Sequence, residues 1–181
     1  PELEAKANNA QTLDNAQGVL SAGQLNLEVA NFSNIQGQAL QTGTGDTAIV
    51  LTSPTSTFNN TGGTVAVNSS NFDIKANTLI NTDGKIQHAG TGTFNITADS
   101  LNNLRGQVAS NNHAHLTIAT QLNNTDGVIS AANDLGVSAG ASINNTRGLI
   151  QATAGNLNVS TANFDNIQGS VYAQQDLSLV A

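Results

Sequence analysis

The chain has 181 residues, which fits one domain or two small ones, and only 9 % of them are charged, against roughly 25 % in an average protein. Five Lys and Arg against twelve acidic residues give a net charge of −7, which excludes a nucleic-acid groove, and the lack of Cys excludes disulfides, thiolate nucleophiles and cysteine metal sites. Asn (26 copies), Thr and Ser take the place of charge, and no apolar run reaches the ~18 residues of a membrane span.

A repeat runs the length of the chain. In order it reads LDNAQG (13–18), FSNIQG (32–37), FNNTGG (58–63), LINTDG (79–84), LNNLRG (101–106), LNNTDG (122–127), INNTRG (143–148) and FDNIQG (164–169). The closing glycines are Gly18, Gly37, Gly63, Gly84, Gly106, Gly127, Gly148 and Gly169, spaced 19, 26, 21, 22, 21, 21 and 21 residues apart. Three residues before each glycine stands an asparagine: Asn15, Asn34, Asn60, Asn81, Asn103, Asn124, Asn145 and Asn166. Five before it the residue is apolar in every repeat, from Leu13 to Phe164, and two after it apolar again, from Leu20 to Val171.

Midway between these motifs lies a second pattern of period two. It reads Leu25-x-Leu27-x-Val29, Phe72-x-Ile74-x-Ala76, Phe94-x-Ile96-x-Ala98, Leu116-x-Ile118, Leu135-x-Val137-x-Ala139, Leu157-x-Val159 and Leu177-x-Leu179. Alternation of this kind predicts strands, and helical stripes and capping boxes are missing. A repeat of about 21 residues with short strands buries its apolar face only by stacking on its neighbours. The expected fold is therefore all-β: one parallel β-helix segment over 1–181, with about eight coils and one repeat per coil. The glycine column is expected to supply a backbone with φ > 0, and the asparagine column an inward ladder of amides. A β-sandwich competes, but it has no need of one turn chemistry at near-constant spacing.

Four features depart from the pattern. The 26-residue spacing places an insertion at about 41–58, QTGTGDTAIVLTSPTSTF, whose Pro54 argues against a central strand there. Just before successive glycines stand Asp83, Arg105, Asp126 and Arg147, expected to form a surface ladder of alternating charge that fixes coil register. His113 and His115 are expected to be exposed turn residues, able to share one strand face but without the acidic cluster of a metal site, and His88 belongs to a different column. Sequons at Asn31, Asn59, Asn68, Asn95, Asn123, Asn144 and Asn158 follow from composition.

Catalysis finds little to work with. Asp83 and Asp126 would lie about 9–10 Å apart, near the upper edge for an inverting glycosidase, yet with an Arg between them that lowers both pKa values. The chain has no Trp and one Tyr to serve as sugar platforms. No phosphate loop or activated nucleophile stands out, and no cofactor is implied.

The repeats LNNTDGVISA, INNTRGLIQA and FDNIQGSVYA resemble the haemagglutinin repeats of filamentous haemagglutinins and CdiA-type contact-dependent growth-inhibition effectors, over residues 13 to 181. That resemblance implies a right-handed β-helix exported through an outer-membrane two-partner-secretion transporter. It also implies a filament on the bacterial surface that meets a host-cell or target-bacterium receptor. The Asn-Pro signature of the family's secretion domain does not occur here, and no toxin-like region follows the repeats. The chain is thus expected to be an interior, non-catalytic piece of such a secreted filament, without membrane insertion or a nucleic-acid partner. A receptor- or glycan-binding module is the second expectation and a polysaccharide-active enzyme the third.

Overall fold

A computed structural model describes residues 2–6 and 11–181. Each repeat closes one coil of a parallel β-solenoid, and no helix occurs among the described residues. A coil presents three faces. The midway alternation forms the first face, exemplified by Gln24–Val29, Leu135–Ala139 and Leu157–Thr161. The residues leading into each asparagine form the second, as in Asn31–Ser33, Thr57–Asn59 and Ser142–Asn144. Those after each glycine form the third, as in Gln38–Gln41, Lys85–His88 and Val128–Ala131. Three long strands, Phe72–Ile80, Thr93–Asn102 and His113–Asn123, run around the corner from the first face into the second, so these two faces make one 14-stranded sheet. The third face is a separate sheet of eight strands.

Pairing is parallel and puts like on like. On the second face Leu13, Phe32, Phe58, Leu79, Leu101, Leu122, Ile143 and Phe164 stand in one line. On the third, the line runs from Leu20 through Val65, Ile86 and Ile150 to Val171. On the first it runs Leu27, Ile49, Ile74, Ile96, Leu116, Val137, Val159 and Leu179. The three lines meet in one core. Phe72 stacks on Phe94 with ring centroids 4.6 Å apart, and Phe32 on Phe58 at 4.9 Å. Each such buried ring or branched chain contributes about 1.5–3 kcal/mol by leaving water.

The 41–58 stretch needs correction. Thr47–Leu51 is a full strand of the first face, paired on one side with Gln24–Val29 and on the other with Phe72–Ile80. Thr47 fills an inward position that is apolar in the next coils, and its hydroxyl donates to the buried Gln41 Oε1. The polar residue breaks the alternation, which is why the sequence pattern passes over the strand. The extra length sits at the following corner. Seven positions separate Leu51 from Phe58, whereas three separate Ala76 from Leu79 in the coil above. The surplus of four, residues 53–56, holds Pro54 at an exposed place where no ladder hydrogen bond is lost.

Candidate functional site

The corner between the second and third faces is the most regular feature of the molecule. Seven side-chain bonds of 2.7 Å join the amides in a chain, each Nδ2 donating to Oδ1 of the next coil, from Asn15 through Asn34, Asn60, Asn81, Asn103, Asn124 and Asn145 to Asn166. The six from Asn34 to Asn145 have no exposed surface. Each of the first seven Nδ2 groups also faces two carbonyls: that of its own turn glycine and that of the residue after the next coil's glycine. A buried amide is thereby satisfied on both its hydrogens, as a low-dielectric site demands.

The glycine column acts differently from expectation. Positive φ belongs to the residue before it: Gln17, Gln36, Gly62, Asp83, Arg105, Asp126, Arg147 and Gln168, all between 52° and 62°. The glycine is instead excluded from having a side chain by close approach. A Cβ on Gly127 would lie 2.3 Å from the Asn103 carbonyl oxygen of the neighbouring coil and 2.6 Å from Asn124 Oδ1. The turn itself is closed by Gly127 N–H donating to the Asn124 carbonyl at 3.0 Å.

A further column, one residue before the ladder asparagine, was not singled out from the sequence. Asp14, Asn59, Asn102, Asn123, Asn144 and Asp165 each accept, through a side-chain oxygen, the backbone N–H two residues on. The Asx-turn pattern D/N-N-x-x-G was its available signal. Three of the sequon asparagines, Asn59, Asn123 and Asn144, are occupied in this way.

The four charged residues share one column but bond as two pairs rather than as a continuous ladder. Arg105 Nε and Nη2 grip Asp83 at 2.7 and 2.8 Å, and Arg147 grips Asp126 at 2.7 Å through both nitrogens. Each Arg reaches back to the preceding coil, and one guanidinium fork saturates one carboxylate. Between Arg105 and Asp126 only longer-range attraction remains. The hydrogen bonds from Arg105 and Arg147, with their charges, hold the Asp83 and Asp126 carboxyls below the ordinary value. Neither is a general acid at neutral pH.

His113 and His115 lie at the start of a strand, not in a turn, and face outward. His113 Nδ1 is 3.3 Å from both the backbone nitrogen and Oδ2 of Asp134, accepting from the first when neutral and donating to the second when protonated. Asp134 is held below its ordinary pKa chiefly by the Asn156 backbone N–H. No group of three metal-binding side chains occurs among the described residues. His88 is buried between the coils, with Nε2 2.9 Å from the Ser69 carbonyl and Nδ1 3.1 Å from Ser110 Oγ, tilted against Phe72 and Phe94. It takes the second inward position of the alternating strand Lys85–His88, after Ile86.

No family model, curated protein or solved structure matches this chain.

Proposed function

We propose that the chain is a non-catalytic structural repeat module, a rigid segment in the elongated filament of a secreted bacterial adhesin or contact-dependent growth-inhibition protein. The observation that carries this reading is the unbroken asparagine chain, seven equal links through eight coils. One corner repeated at one spacing adds length along a single axis and converges on no site. At about 4.8 Å per coil, eight coils span roughly 35 Å. The low charge and lack of Cys suit a chain that is exported unfolded and folds outside, and the resemblance to haemagglutinin repeats supports export through a two-partner-secretion transporter and a place on the cell surface. The partner at the filament's far end is a receptor on a host cell or a target bacterium.

The test is export. Fused behind a two-partner-secretion signal domain, the chain is expected to reach the cell surface through the cognate transporter, to lengthen the displayed rod, and to cleave no polysaccharide. Retention inside the cell, or cleavage of a polysaccharide panel, contradicts the reading.

A further inference from the structure

The coil that departs from the array also carries a concavity on the outer surface. Thr52–Ser56 walls a groove of about 600 Å³, within the range of sites for small molecules. Its apolar lining includes Pro54, Ala98 and Ala119, and its polar lining Lys75, Thr97 and Asp99. These polar groups are not spent on one another. Among the described residues Lys75 enters no ion pair, and Asp99 meets only the Thr120 hydroxyl, 3.5 Å from Oδ2.

Three facts select the class of ligand. First, the strands that line the groove are already paired on both sides, Lys75 lying between Val50 and Thr97, so an extended peptide finds no free sheet edge to join. Second, a net charge of −7, with Asp99 in the groove itself, opposes polyanions and anionic membrane surfaces. Third, a cation, a hydroxyl and a carboxylate together offer donors and acceptors at once, over a small apolar patch. A ligand that matches all of these is uncharged, rich in hydroxyls that both donate and accept, and has one face of C–H groups. The geometry points to a binding site for a neutral hexose unit. Its hydroxyls donate to the Asp99 carboxylate and accept from the Lys75 ammonium, while its C–H face covers Pro54 and the exposed Ala119 methyl. The aromatic platform that sugar sites commonly use is replaced here by the insertion's proline.

Amide NMR on the whole chain, titrated with glucose, galactose, mannose, N-acetylglucosamine and glucuronate, tests this. At least one neutral sugar is expected to shift, saturably, the amides of residues 52, 53, 55, 56, 75–77 and 97–99. Asp99→Ala and Lys75→Ala should each weaken that binding by about tenfold, the worth of one hydrogen bond to a charged group. Removing residues 53–56, which gives this corner the length of the next coil's, should abolish it. Three results overturn the assignment: no neutral sugar moves these amides, binding is indifferent to Asp99→Ala, or glucuronate alone binds. Asp99→Ala changes a half-exposed side chain, so the test stands even if the loop deletion misfolds.

Discussion

Asn123 and Asn124 are neighbours in the chain and opposites in the structure. Asn124 is fully buried and bonded to amides and carbonyls of its own and the adjoining coils, whereas Asn123 is half-exposed and caps its own turn. Asn124→Ala strands Asn103 Nδ2 and Asn145 Oδ1 in the interior, at about 1–3 kcal/mol, and Asn123→Ala leaves Thr125 N–H to water at less. Urea unfolding of the two variants checks this, and equal stability would mean that the ladder is not a buried network. The left-handed column makes a second prediction. Gln36 holds φ 54° where the next coil has Gly62, and a Cβ in that region costs about 1–2 kcal/mol, partly offset by glycine's greater freedom in the unfolded chain. Gln36→Gly should therefore raise stability by up to about 1 kcal/mol, and a lower melting temperature would contradict the strain. The charged pairs predict a pH effect. Asp83 has a depressed folded-state pKa, so its contribution is present above its ordinary value of 3.8 and is lost as pH falls through the lowered one. The stability gap between the parent chain and Arg105→Gln should be constant above about pH 5, close in acid and narrow in salt. A gap that is insensitive to both acid and salt would show that the pair is not its source.

At the scale of the element, the strands were legible because stacking forces every coil to obey one rule. Leu79, Leu101 and Leu122 recur at one offset because each must land on the others. The register of the third face could be read from the glycines alone. What escaped the sequence were places where a polar residue takes an inward position with a private partner. Thr47 with Gln41, and His88 with Ser69 and Ser110, look like surface residues in a string of letters. The glycine column was read correctly as invariant and wrongly as to cause, since the neighbouring coil's carbonyl is invisible until the coils are stacked. The groove was equally hidden: Lys75, Thr97 and Asp99 come together only through parallel pairing across coils and the corner beside them. The Thr52–Ser56 corner yields an element-level prediction. Ser56 Oγ and carbonyl accept the N–H groups of Asn77 and Thr78, but the shorter corners of other coils do without such a loop. Removing residues 53–56 should lower thermal stability only modestly, by about 1–2 kcal/mol for two lost bonds. Loss of the folded state would show that the loop is a structural clamp.

For the whole molecule, stability is a sum of coil terms and coil–coil interfaces, so no single core decides folding. Length then becomes a free variable, which is what a filament requires. Deleting residues 128–148 joins Gly127 to Leu149, which stands where Val128 stood, and brings Asn124 against Asn166 with every column in phase. The deletion should fold, melt somewhat lower than the parent, and be shorter by about 4.8 Å in small-angle scattering. Deleting only residues 128–137 sets turns over strands, unpairs backbone groups and turns apolar side chains outward, and should unfold the chain. If the full-period deletion unfolds the chain as thoroughly as the ten-residue one, a coil is not the unit of this structure and the central claim fails.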